Sequence, residues 1–261
     1  MRALTPFDVL SLWDEGAQRH PLDRSALLCA RARSDLPAEA IVDLPLGEVT
    51  RSVLRLREAT FGARIDSHVD CPFCGARLAV SVMTSDVLPD GVTAGGLPME
   101  GATAGEGSRG GPADDPAADL RADGAPDGER TRGLRPPTLR DLAAVADVAD
   151  AQEGARRLLQ RCMTASAPAS LLDADLAEIE AVFDALDPSA DLGLQVTCTE
   201  CGKPVLATLD ASIVLWDEIE AQGRMLLRMV HVLAVAYGWT ENEILSLGPA
   251  RRAAYMAMVS P

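Results

Sequence analysis

Two copies of one short unit limit what this chain can fold into: Cys71-Pro72-Phe73-Cys74-Gly75 and Cys198-Thr199-Glu200-Cys201-Gly202. Apolar residues alternate on both sides of each. Ile65, Ser67 and Val69 precede the first unit and Leu78, Val80 and Val82 follow it. Leu192, Leu194 and Val196 precede the second, and Val205, Ala207 and Leu209 follow. A period of two marks a half-buried strand, so each unit predicts a hairpin with two thiols at its tip. Two residues between the cysteines let a tight turn direct both sulfurs at one ion. The glycine after the second cysteine permits the positive φ that such a turn demands.

Each hairpin supplies two thiolates, and a closed tetrahedral site takes four. The two hairpins are therefore expected to share one structural Zn²⁺ through Cys71, Cys74, Cys198 and Cys201. The long stretch between them is no obstacle, since loop-closure entropy grows slowly with length. A thioredoxin-like C-x-x-C opens a helix within a βαβ unit, whereas strands flank both pairs here. A catalytic zinc keeps one coordination position open. Disulfides within the pairs are discounted in a reducing compartment. His68, three residues before Cys71, competes as a ligand but reads better as a surface histidine. Cys29 and Cys162 adjoin leucines and read as buried small hydrophobes.

The charge balance narrows the partners. With 24 basic and 39 acidic side chains the formal charge is −15, which argues against a phosphate-binding surface and against an anchor on anionic lipid. Met1-Arg2 leads into a polar stretch without the apolar core of a signal peptide. The most apolar window, residues 225–238, is interrupted by Arg228 and His231 and is too short to span a bilayer. The expected location is the cytoplasm. No nucleophile elbow, P-loop, dinucleotide fingerprint or H-E-x-x-H run is present, and His20, His68 and His231 lie near no nucleophile in sequence. A non-enzymatic protein is expected.

The fold class expected is α+β and mostly α-helical: a split zinc ribbon flanked by helices, with a disordered Gly/Pro-rich insertion. Its divisions are an N-terminal helical region (1–63), the first ribbon hairpin (64–86), the insertion (87–137), a helical insertion (138–189), the second hairpin (190–210) and a C-terminal helical region (211–261). Residues 89–137 hold 11 of the 21 glycines and 7 of the 17 prolines, with no aromatic residue, too little apolar surface to offset the entropy of ordering.

Thr5, Pro6 and Asp8 predict a capped first helix with Phe7, Leu10, Trp13 and Ala17 on one face. Further helices are expected over 22–33, 46–61, 139–163 and 174–186. Trp216, Ile219, Gly223, Leu226, Val230, Leu233 and Tyr237 repeat at steps of three and four, the seam of a long helix packed inside the protein. Thr240 and Glu243 predict a second capping box, for a short helix through Leu247, and Gly248-Pro249 introduces a last helix.

Several of these segments, in this order, resemble a known family. They are Gly47-Glu48 through Leu54-Arg55-Leu56-Arg57-Glu58, Phe61-Gly62, the first cysteine hairpin, Asp187-Pro188, the second, and Leu215-Trp216-Asp217-Glu218-Ile219. His231, Ala236-Tyr237-Gly238-Trp239, Glu243-Ile244-Leu245 and Arg251-Arg252-x-x-Tyr255 complete the series. The chain resembles the baseplate hub assembly proteins of contractile T-even-type phage tails and phage-tail-like injection systems. That resemblance implies a structural or assembly role, with hub or spike subunits as partners and a possible place on the particle. The alternative is a zinc-ribbon regulator or nucleic-acid-associated factor. The hairpins offer it Arg64, Arg77 and Lys203 against Asp66, Asp70, Asp191, Glu200 and Asp210.

Overall fold

The computed structural model describes residues 2–88, 97–98, 133–165, 167 and 169–259. The chain is mostly helical with two small antiparallel hairpins. It divides into two compact units, one of residues 1–42, 49–64 and 210–261, the other of residues 43–48 and 65–209.

The first unit is helical. It holds α1 (Pro6–Gly16), α2 (Pro21–Ala32), α3 (Ala38–Ile41), and α4 (Leu46–Phe61) from residue 49 onward. The C-terminal helices α9 (Ala211–Tyr237), α10 (Glu241–Ser246) and α11 (Pro249–Val259) complete it. Thr5 and Asp8 form the expected capping box, each side chain accepting a backbone N–H of the other. Thr240 and Glu243 repeat it at α10. Leu10 is buried as expected, but Phe7 is 42% exposed and Trp13 and Ala17 are half-buried; Val9, Leu12 and Gly16 complete the buried face.

The long seam is internal packing over most of its length, as expected, although Val230 is only half-buried and Tyr237 at its end is exposed. Trp216, Ile219, Gly223, Leu226 and Leu233 of α9 are buried. Two tryptophan–glycine pairs join α1 to α9 reciprocally. Trp13 of α1 lies over Gly223 of α9, where an added Cβ would stand 3.1 Å from Cε3 and 3.2 Å from Cδ2. Trp216 of α9 lies over Gly16 of α1, where a Cβ would collide with Cζ3 and Cη2. Each indole fills the space that a missing side chain leaves. Arg24 lies over the ring of Trp216, its Cζ 4.5 Å from the centroid, and donates to the carbonyls of Gly16 and Ala17 at the end of α1. Between α4 and α9, Arg57 meets Glu218 through two hydrogen bonds, Nε to Oε2 at 3.0 Å and Nη2 to Oε1 at 2.6 Å, and donates to Gly62 O.

The second unit carries the strands: β1 (Arg64–Asp70, from residue 65), β2 (Arg77–Met83), β3 (Leu97–Pro98), β4 (Leu192–Thr197) and β5 (Pro204–Leu209). β1 pairs with β2. β5 pairs antiparallel with β4, from Leu192 opposite Leu209 to Thr197 opposite Pro204, and β3 pairs parallel with β4. The helices here are α5 (Thr84–Val87), α6 (Leu139–Ala143), α7 (Ala151–Cys162) and α8 (Leu176–Leu186), with a 3₁₀ turn at Ala169–Asp173.

Residues 139–163 are not one helix. Asp150 accepts the N–H of Glu153 and starts α7 afresh, so α6 ends at Ala143 and 144–150 are not helical. Most of the Gly/Pro-rich tract expected to be disordered lies outside the described residues. Its edges, where described, are built in. Val87 is buried, Leu134 bridges Met163, Arg135 N–H donates to Cys162 O, and Pro137 O accepts from Leu46 N–H. Behind that junction Asp141 is 1% exposed and accepts from Arg135, Arg161 and Thr138.

A distant cap starts α4. The Asp187 carboxylate, buried, accepts the N–H of Gly47 at 2.7 Å across 140 residues of sequence. A Cβ on Gly47 would lie 2.7 Å from Cγ and 2.9 Å from Oδ2 of that carboxylate, and closer still to Oδ1. Glycine is what lets it approach.

Candidate metal centre

Both cysteine turns fold by the same hydrogen bonds. Cys71 N–H donates to Ala76 O at 2.8 Å and Gly75 N–H to Cys71 O at 2.8 Å. In the second turn Cys198 N–H donates to Lys203 O at 2.9 Å and Gly202 N–H to Cys198 O at 2.9 Å. Gly75 and Gly202 hold φ of +73° and +71°, the left-handed backbone that a side chain disfavours. The strands behind them alternate as the sequence indicates. Ile65, Leu78, Val80, Val82, Leu194, Val205 and Leu209 are buried. Leu78 and Val205 pack directly beneath Cys71 and Cys198.

The two tips bring their thiols together. The sulfurs of Cys71, Cys74, Cys198 and Cys201 all lie within 4.8 Å of one another. Cys71 Sγ is 3.7 Å from Cys201 Sγ, and Cys74 Sγ is 3.6 Å from Cys198 Sγ. A tetrahedral ion with metal–sulfur bonds of about 2.3 Å separates its ligands by about 3.8 Å. The four donors fit such an ion, and the cluster could hold a metal. Cys71 and Cys198 are buried while Cys74 is exposed, so the site has an apolar floor and an open rim.

Local dipoles prepare these sulfurs unequally. The backbone N–H groups of Cys201 and Glu200, with the neighbouring thiols of Cys201 and Cys74, draw the Cys198 thiol down to about 7. At Cys74 the Ala76 N–H favours the thiolate, yet burial and the other three thiols outweigh it and push the group up to about 12. Cys201 is also raised: burial and its contacts with Cys198 and Cys71 outweigh the lowering by the Lys203 N–H. Four sulfurs this close resist ionising together. A divalent cation removes the conflict, because a coordinated thiol is held deprotonated.

A contact across the tips went unread in the sequence. Lys203 Nζ, from the second turn, lies 4.6 Å from the ring centroid of Phe73 in the first, and Phe73 is 55% exposed. The sequence holds a single lysine, and its place directly after Gly202 was the available signal. Its charge beside the cluster offsets part of the negative charge that four thiolates bring.

The other candidates fall where expected. His68 is exposed and outside the cluster. Cys29 and Cys162 are fully buried, and burial pushes the Cys162 thiol up to about 11, which leaves it a packing residue. Among the described residues no helix is long and apolar enough to cross a membrane.

Comparison of the chain with protein-family models, with curated proteins and with solved structures finds no match.

Proposed function

We propose that this protein is a non-enzymatic structural or assembly component of the baseplate hub of a contractile phage-tail-like particle, held in shape by one structural Zn²⁺. The observation that carries the structural part is the four-thiol cluster, in which every donor of a tetrahedral site comes from the chain and none is left for a substrate. All-sulfur tetrahedral donation favours zinc among the common divalent ions. When bound, the ion neutralises the thiolates and joins the two hairpins. Cys71, Cys74, Cys198 and Cys201 hold it, and Leu78 and Val205 shield two of the sulfurs from water.

The baseplate part rests on the resemblance, and the segments that carry it have mechanical tasks in this fold. Gly47 and Asp187 form the distant cap of α4. Trp216 fills the gap over Gly16. Tyr237 stacks on Trp239 at 4.6 Å, and Tyr255 meets both edge-on at 5.4 and 4.8 Å. Arg252, buried, donates to the carbonyls of Leu245 and Leu247 between α10 and α11. Residues used this way suit a scaffold that presents helical faces to hub or spike subunits in the cytoplasm.

Affinity isolation from cells assembling such a particle tests the reading. Hub or spike subunits are expected to co-purify with the tagged chain. Their absence, together with tight DNA binding at moderate salt, would replace it with the nucleic-acid alternative.

A further inference from the structure

The four sulfurs at the metal centre all lie within 4.8 Å of one another, and two close contacts among them run from one hairpin to the other. Cys74 with Cys198 and Cys71 with Cys201 are the two pairs at 3.6 and 3.7 Å. Each joins a buried thiol to one nearer solvent: Cys198 is 1% exposed and Cys71 2%, whereas Cys74 is exposed and Cys201 intermediate. A disulfide bond is about 2.05 Å long, so each pair closes by drawing its sulfurs about 1.6 Å together. The backbone of each turn is fixed by two hydrogen bonds and a left-handed glycine.

We propose that the cluster is an oxidation site for peroxide-class oxidants, forming two disulfides that cross between the hairpins, Cys74–Cys198 and Cys71–Cys201. One sulfur of the Cys74–Cys198 pair attacks the peroxide O–O bond and becomes a sulfenic acid, and the other peroxide oxygen leaves as water. The partner sulfur then displaces the sulfenic hydroxyl group as a second water, with the two thiol protons ending on the two oxygens lost. A second peroxide joins Cys71 to Cys201 in the same way. Two electrons leave the sulfurs for each peroxide reduced. The oxidised cluster has no thiolate left, so a bound divalent ion departs, yet the hairpins stay tied by covalent bonds in its place. Metal and oxidant are thus alternative fasteners of the same two tips. The inference needs the four thiols and their geometry, not the identity of the metal.

The test uses the full-length chain as purified, its metal content measured first, and exposes it to hydrogen peroxide. Free thiols are alkylated before digestion. Cleavage after Phe73, after Glu153 and after Glu200 separates all four cysteines, so mass spectrometry reads the pairing directly. Expected are Cys74–Cys198 and Cys71–Cys201 links, loss of four alkylatable thiols, and unreacted Cys29 and Cys162. Links within each C-x-x-C pair, the remaining pairing of Cys71 with Cys198 and Cys74 with Cys201, or four free thiols after treatment overturn the proposal. Variants keep the question answerable if one pair obscures the other. The double variant C71S/C201S retains Cys74 and Cys198 and is expected to cross-link, whereas C71S/C198S, which retains Cys74 and Cys201, is expected not to. Equal cross-linking of both overturns the pairing. A chain that holds no metal as purified yet forms the crossed links refutes the zinc reading and leaves this one standing.

Discussion

Replacing Gly47 with alanine is expected to destabilise the protein, although helix propensity alone favours the change by about 1 kcal/mol. Gly47 lies in the first turn of α4, and its N–H donates to the buried Asp187 carboxylate at 2.7 Å. The new Cβ would stand 2.7 Å from Cγ of Asp187, well inside van der Waals contact, so the carboxylate must retreat. Losing a buried hydrogen bond to a charged acceptor costs about 3 kcal/mol. The net loss is then about 2 kcal/mol, a fall in melting temperature of about 4–8 °C for a protein of this size. Asp187→Ala is expected to cost a similar amount by leaving the Gly47 N–H without its acceptor. The sign of the Gly47 effect should then reverse. In the Asp187→Ala background no carboxylate opposes the methyl group, and Gly47→Ala should gain up to about 1 kcal/mol. Thermal melts of the four proteins, followed by circular dichroism at one metal loading, give the cycle. An equal drop in both backgrounds would refute the argument.

Further outcomes are equally specific. Purified protein should carry about one zinc per chain; Cys198→Ser should lower both metal content and melting temperature, since site formation is coupled to folding, and a metal-free protein of unchanged stability would contradict this. Burial alone would raise the Asp141 carboxyl, but its bonds to Arg135 and Thr138 win and hold it at about 2. A depressed carboxylate stabilises fully above its unfolded value near 4 and loses that contribution as pH falls through about 2, so about 2 kcal/mol should disappear across that window in acid denaturation and be absent from Asp141→Asn. Glu218→Ala should cost about 3 kcal/mol in urea titrations, because Arg57, 3% exposed, keeps a buried charge without its carboxylate.

Short-range residue patterns mark the elements that local physics decides. Thr5 with Asp8, Thr240 with Glu243 and the strands flanking each C-x-x-C-G all fold as their spacing indicates. The cysteine cluster was legible for the same reason: two matching turns each left a coordination sphere half filled. Continuous helix over 139–163 failed because alanine-rich composition conceals a second start, and only the Asp150 side chain over the Glu153 N–H marks it. Gly47 and Asp187 stood out through resemblance alone, since nothing in the sequence says that residues 140 apart share a hydrogen bond. The same holds for Gly223. A glycine within an apolar seam looks like a weak point until Trp13 is found in the space it leaves.

The indoles that lock α1 to α9 also give the molecule an optical division. Trp13, Trp216 and Trp239, with Tyr237 and Tyr255, account for every tryptophan and tyrosine in the sequence, and all five belong to the helical unit. The unit that carries the four-thiol cluster has none. Emission excited in the indole band therefore reports the melting of one unit only. Cobalt placed at the four sulfurs would report the other through its thiolate charge-transfer absorption. Two wavelengths on one unlabelled sample would then tell whether losing the metal unfolds the whole chain or only the part that holds it.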